Sequence, residues 1–182
     1  MKYLAVDSNT LTYLLDSVQE SYDPRLDPTE LRTERVAMLR CYFYGGCSFW
    51  VPPTVQAEYQ KISDAGKRRA HDRWTKCLLQ DMPLKTTAGL DSRTAELLAH
   101  HRKAADCRVV AETEASGLKA LLSCDLDLII RLGPQAKVQV MRPTQFWKSL
   151  PIEVGAMPVV QPADGNPLAS VTWWRLESGV DA

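Results

Sequence analysis

Four short apolar runs alternate with longer helical segments along the first 140 or so residues of the chain. The runs begin at Tyr3, Cys47, Lys119 and Val138, and each is four or five residues long. Runs of this length, bounded by turn residues, are typical of buried strands. Strands that alternate with helices pair in parallel, because a parallel pair needs a crossover connection. The sequence therefore predicts a three-layer α/β/α sandwich with a mainly parallel central sheet.

Capping and breaking residues place the predicted helices. Asp27 and Asp91 are expected to cap two helices, and Gly117 is expected to end the helix over 105–116. A polar loop is expected over 17–26. A helix begins near Pro53, and the basic stretch up to residue 79 either continues it or begins the next helix.

The last part of the chain has a different composition. Residues 148–182 hold four of the 11 prolines, and such a density interrupts helices and strands. We therefore expect a domain over residues 1–147, followed by an extended Pro-rich tail at 148–182 that Trp173 and Trp174 pin to the domain.

Composition excludes several classes of protein. The 182 residues carry 22 basic and 22 acidic side chains, which argues against a strongly basic coat protein. No stretch approaches the ~20 apolar residues of a membrane span. The early acid at position 7 argues against a signal peptide, so a cytoplasmic protein is expected. Five cysteines without a CxxC pair argue against a disulfide framework and a cysteine zinc site.

Acidic side chains follow two of the predicted strands at the point where each strand ends. Asp7 follows the first strand, and Asp125 follows the third, with Asp127 two residues further on. In an open parallel sheet, ligands bind in the crevice beyond the carboxyl ends of the strands. These acids are therefore expected where the fold binds a ligand.

Two further acids fall on helix faces that the pattern assigns to the interior. Glu58 shares a stripe with Val55, and Asp106 shares one with Val109, because residues three or four apart lie on one helix face. Glu112 projects from another face and is expected to be solvated. Taken singly, each acid is explained as a cap, a turn residue or the partner of an arginine.

Four carboxylates that converge on one crevice repel one another. At ~5 Å and an effective dielectric constant of ~20, each pair of charges costs ~3 kcal/mol. Either some carboxyls are protonated or a cation lies among them. Carboxylate ligands without His or Cys at metal-binding spacing favour Mg²⁺ or Mn²⁺. Such ions bind substrate phosphates, so the pattern favours phosphodiester hydrolysis.

Three segments, in this order, resemble the PIN-domain family of metal-dependent ribonucleases, which includes the VapC-type toxins. The first strand of the family, with its acid, is matched by LAVDSNTLTYLL (4–15). The segment that carries the family's second acid is matched by VPPTVQAEYQKI (51–62). AADCRVVAETEASGLKALLSCDLDLI (104–129) resembles the helix of the third acid and the Ser/Thr-x-Asp motif, whose hydroxyl is Ser123. The resemblance covers about residues 1–147 and departs in a more polar helix and a long first loop.

The resemblance implies a role for each matching residue. The catalytic carboxylates, which bind one or two Mg²⁺ or Mn²⁺ ions, correspond to Asp7, Glu58, Asp106 and Asp125. Asp127 corresponds to an outer metal ligand, and Asn9 and Ser123 to groups that orient carboxylates or water. The implied endoribonuclease needs no nucleophilic side chain. The three histidines, at positions 71, 100 and 101, are expected on polar faces.

A basic stretch over residues 61–76 offers a surface for RNA. Its candidate phosphate-binding residues are Lys67, Arg68, Arg69, Arg73 and Lys76, with Trp74 between them to stack on a base. The alternative is an ordinary solvated helix face. The family resemblance also implies a homodimer and, for a VapC-like toxin, an antitoxin protein as partner.

Two other functions fit parts of the pattern. A haloacid-dehalogenase-like phosphatase needs a second acid two residues after the first, and Asn9 occupies that position. A non-catalytic PIN-like module that binds RNA or protein would retain the acids as structural caps. Cleavage of RNA, release of phosphate from a small phosphomonoester, and RNA binding without cleavage distinguish the three.

Overall fold

The predicted strands lie side by side in one sheet. The computed structural model describes residues 2–18, 29–78 and 84–178, together with the single positions 22, 24 and 27. Its strands are β1 (Lys2–Val6), β2 (Cys47–Trp50), β3 (Ala120–Leu122) and β4 (Gln139–Met141). Its α-helices are α1 (Ser8–Ser17), α2 (Leu31–Phe43), α3 (Pro53–Tyr59), α4 (Ala65–Leu78), α5 (Leu90–Leu98), α6 (Ala104–Ser116), α7 (Leu126–Leu132) and α8 (Pro143–Lys148).

All neighbouring strands of the sheet run parallel, in the order β2-β1-β3-β4. Leu4 lies beside Phe49, and Val6 lies beside Leu122. The predicted α/β/α sandwich with a parallel sheet is thereby confirmed. The chain leaves β1 toward one edge and returns to β3 on the other side, so a crevice opens between the carboxyl ends of β1 and β3.

Helices cover both faces of this sheet. Parallel crossovers are right-handed, so the connection from β1 to β2 and the connection from β2 to β3 pass over opposite faces. The packing agrees, since α2 contacts α1 and α8, whereas α6 contacts α3 and α5. None of the described helices combines the length and the apolar character that a bilayer crossing requires.

Several helix boundaries differ from those predicted. Asp27 does not cap α2: its carboxylate accepts from the backbone N–H and hydroxyl of Thr29, and the helix begins at Leu31. Asp91 lies inside the first turn of α5 after Gly89 and caps nothing. The basic stretch forms a separate helix, α4. Helices α7 and α8 were not predicted, because short helices carry little periodic signal.

The C-terminal segment packs on α2 through an aromatic anchor. Trp174 is fully buried, and its ring lies 4.2 Å from that of Phe43 between centroids. Its indole N–H donates to the Leu168 carbonyl. The Arg40 guanidinium donates to the carbonyl oxygens of Trp174 and Arg175. The predicted pinning of the tail therefore has a specific basis at Trp174. The loop expected at 17–26 lies mostly outside the described residues.

Candidate active site

The carboxyl ends of β1 and β3 meet at Asp7. The Asp7 backbone N–H donates to the Leu122 carbonyl, which extends the strand pairing to the acid. One carboxylate oxygen of Asp7 accepts from the Thr10 backbone N–H at 2.7 Å and caps α1. The other accepts from the Ser123 hydroxyl. Burial raises the pKa of the Asp7 carboxyl, and although these hydrogen bonds oppose the shift, the pKa stays above its usual value.

Asp125 occupies the same edge of the sheet and caps α7. Its Oδ1 accepts from the backbone N–H groups of Asp127 and Leu128, at 2.9 and 3.2 Å. Its Oδ2 accepts from the Lys103 ammonium at 3.0 Å. Partial burial raises the pKa of Asp125, but the hydrogen bond from Lys103 and the backbone N–H groups outweigh burial and hold the pKa below its usual range.

Glu58 and Asp106 reach this edge from helices α3 and α6. The two helices are in contact, and a buried carboxylate joins them: Glu112 accepts from the Thr54 backbone N–H and hydroxyl at 3.0 and 2.8 Å. The prediction that Glu112 is solvated is wrong, since its exposed fraction is 3%. Glu112 supplies the cap that Pro52, at the N-cap of α3, cannot supply. This contact positions the helix that carries Glu58.

One cavity of about 180 Å³ collects the four predicted carboxylates. Its lining residues are Asp7, Ser8, Asn9, Glu58, Lys103, Asp106, Val109, Asp125 and Leu128. Four segments of the chain that are distant in sequence therefore contribute one acid each to the same space. In the part of the chain that the structure describes, no three His, Cys, Asp or Glu side chains are arranged to hold one metal ion. The donor chemistry nevertheless fits Mg²⁺ or Mn²⁺, because carboxylate oxygens line the cavity.

Three residues that sequence reasoning missed contact these carboxylates. The Ser8 hydroxyl donates to Glu58. The family resemblance gives this orienting role to its neighbour Asn9, whose exposed side chain lines the cavity. Lys103 lies 3.6 Å from Asp106 in addition to its contact with Asp125. Its position three residues before Asp106 is the only signal in the sequence, because such i,i+3 neighbours share a helix face.

The third missed residue is His101. Its side chain is fully buried, and its Nε2 lies 2.7 Å from Asp106 Oδ2. The prediction of polar-face histidines is therefore wrong for His101 and also for His71, which is 3% exposed; His100 is exposed as expected. His101 precedes α6 in a loop without periodicity, so no sequence pattern identifies its contact with Asp106.

Asp127 lies outside the cavity lining. Its carboxylate pairs with Arg131 at 2.5 Å, and its Oδ2 is 3.5 Å from the Nδ1 of His101. The pair with Arg131 holds the pKa of Asp127 below its usual value. Its connection to the cavity runs through His101 and Asp106, and its role as an outer ligand stays a prediction.

From Ala65 onward the basic stretch lies in α4, a helix that contacts α1. Lys67 and Arg69 are exposed, and Arg68 donates to the Ile62 carbonyl at 2.9 Å. None of these three lines the cavity. The side chains of Arg73 and Lys76 lie outside the described residues. The RNA-binding role of this surface stays a prediction.

Comparison with known proteins adds little to this geometry. The sequence matches no family model and no curated protein. Among solved structures, the chain is similar to FitAcB from Neisseria gonorrhoeae, with 14% sequence identity and a TM-score of 0.46. That similarity covers 77% of this chain and 97% of the other. A TM-score this low identifies neither the family nor the activity of the chain.

Proposed function

We propose that this chain is a metal-dependent endoribonuclease of the PIN type. The observation that carries the proposal is the meeting of Asp7, Glu58, Asp106 and Asp125 around one cavity at the carboxyl edge of a parallel sheet. These are the four acids that the family resemblance singles out. Ligand sites of open α/β folds lie at this edge.

In this proposal the four carboxylates hold one or two Mg²⁺ or Mn²⁺ ions. When bound, such an ion activates water for attack at phosphorus and stabilises the departing oxygen. The chain's own residues orient the carboxylates. The Ser123 hydroxyl and the Thr10 N–H hold Asp7, the Ser8 hydroxyl holds Glu58, and His101 holds Asp106. Partners of this kind fix the direction in which a ligand oxygen points.

The RNA substrate is proposed to enter along the positive surface of α4. Lys67 and Arg69 are exposed there, and a negative cavity needs nearby positive charge to bind a polyanion. A cytoplasmic location, a homodimer and an antitoxin that covers the cavity follow from the VapC-like resemblance and belong to the same proposal.

Metal-dependent RNA cleavage tests this function. Wild-type protein, Asp106→Asn and the control Asp164→Asn, an exposed residue of the tail, are incubated with mixed structured RNAs in Mg²⁺, Mn²⁺ or EDTA. We expect cleavage by wild type and the control, only with metal, and none by Asp106→Asn. RNA binding without cleavage would instead favour a non-catalytic module, and phosphate release from a small phosphomonoester would favour a phosphatase. Equal cleavage by Asp106→Asn would contradict the proposed site.

A further inference from the structure

The cavity already contains one positive charge, that of Lys103. Its Nζ lies 3.0 Å from Asp125 Oδ2 and 3.6 Å from Asp106 Oδ2. Lys103 immediately precedes α6, and Asp106 lies in the first turn of that helix. The side chain therefore reaches from the start of α6 to the start of α7, and its single positive charge offsets one of the two negative charges that it joins.

A divalent ion and this ammonium need the same oxygen atoms. A Mg²⁺ or Mn²⁺ ligand oxygen lies ~2.1 Å from the ion, so an ion on Asp125 Oδ2 would lie close to the Lys103 Nζ as it is now placed. Two cations at such a separation repel strongly in a partly buried site. The Lys103 side chain is half exposed, so its ammonium has room to move into solvent. Either the ammonium or the ion can thus occupy the space beside Asp125 Oδ2, but not both at once.

We propose that Lys103 is an internal counter-cation that competes with the divalent ion for Asp106 and Asp125, and so sets the metal concentration at which the site fills. The inference rests on the proposed metal-dependent function and concerns its regulation. With little free metal, the ammonium keeps the carboxylates paired and the protein inactive. With more metal, the ammonium leaves.

The test is the affinity for Mn²⁺ without RNA, measured by titration calorimetry on the intact chain. Lys103→Met keeps the length of the side chain and removes the charge, and we expect it to bind Mn²⁺ about tenfold more tightly than wild type. Lys103→Arg keeps the charge and is expected to bind no more tightly than wild type. Lys148→Met, an exposed residue that does not line the cavity, is the matched control and should leave the affinity unchanged.

Thermal unfolding gives a second readout that a merely structural role of Lys103 would not produce. Without metal, Lys103→Met should melt below wild type, because its carboxylates lack their cation. Mn²⁺ should raise its melting temperature more than it raises that of wild type. A loss of packing alone would lower the melting temperature of Lys103→Met both with and without Mn²⁺. Mn²⁺ would then raise its melting temperature no more than it raises that of wild type.

The outcomes separate this inference from the proposed function. The competition is supported if Lys103→Met binds Mn²⁺ more tightly than wild type while Lys103→Arg and Lys148→Met do not. It is also supported if Lys103→Met binds Mn²⁺ and wild type binds none. Equal or weaker binding by a folded Lys103→Met, with wild type still binding, overturns the competition and leaves the nuclease proposal intact. If neither protein binds Mn²⁺, the metal-dependent function itself is wrong.

Discussion

Two groups of carboxylates in this protein, one buried at helix starts and one lining the cavity, differ in the partners that they find. Glu34 and Glu112 are 2% and 3% exposed, and each accepts from the backbone N–H and the hydroxyl of a threonine at a helix start. Thr54 is the second residue of α3 and follows two prolines, and Thr144 is the second residue of α8 and follows one. Both glutamates therefore meet fixed donors that satisfy a carboxylate.

The carboxylates of the cavity line one shared space instead. Asp7 and Asp125 also cap helices, but each cavity carboxylate has a side chain as a hydrogen-bond partner, namely Ser8, His101, Lys103 or Ser123. Carboxylates that share a space repel one another and so favour a nearby positive charge, beyond what a carboxylate at a single helix start requires. Burial of an acid alone thus says little about function, and the identity of its neighbours decides between a structural cap and a site that attracts a cation.

The largest expected effect separates the two groups by activity. Glu58→Gln should lower metal-dependent RNA cleavage by about a hundredfold or more, because it removes a carboxylate from the cavity. Its free energy of unfolding should remain within about 0.5 kcal/mol of wild type, since the amide relieves repulsion among the acids. Cleavage assays and urea unfolding of the same preparation measure both. Retained cleavage would place Glu58 with the structural carboxylates.

The opposite pattern is expected for Glu112→Ala. Removal of this side chain leaves the Thr54 N–H and hydroxyl without their buried acceptor and opens a void beside Arg108. We expect the free energy of unfolding to fall by about 3 kcal/mol, measured by urea denaturation. Glu153→Ala, at an exposed position, is the control and should change it little. A neutral Glu112→Ala would show that the contact does not stabilise α3.

A pH series sharpens the comparison at Asp7. Its carboxyl has a raised pKa in the folded protein, so the folded state binds more protons than the unfolded state above about pH 4. The free energy of unfolding contributed by this group therefore falls as pH rises through the folded pKa. In EDTA, Asp7→Asn should be more stable than wild type at pH 7, because the amide carries no charge that burial penalises. This difference in the free energy of unfolding should shrink toward pH 4. A difference that does not change with pH would contradict the raised pKa of Asp7.

The smallest effect is expected at Asp127. Its partner Arg131 is more than half exposed and lies four residues further along α7, and exposed pairs of this kind contribute about 0.5 kcal/mol or less. Asp127→Asn should change the free energy of unfolding by no more than that and lower RNA cleavage less than Glu58→Gln does. An equal loss of cleavage would move Asp127 into the group of cavity carboxylates.

Much of the fold and the positions of the four acids could be predicted from the sequence. Short apolar runs that end in Asp7 and Asp125 are local patterns, and the inward stripe of Glu58 follows from helix periodicity. Asp27 and Asp91 were predicted as caps because local capping patterns ignore where the rest of the chain lies. Glu112 was placed in solvent for the same reason, since its partner Thr54 is 58 residues away.

By itself, the sequence determined the four strands, the alternation of strands with helices that makes their sheet parallel, and the acids at the strand ends, because each depends on residues that are neighbours along the chain. Only the tertiary structure decided which donors meet those acids. His101 and Lys103 contact carboxylates that the fold brings to them, and Asp125 is 22 residues from Lys103. Such contacts depend on how helices pack on the sheet, and helix packing is set by the whole core rather than by any local pattern.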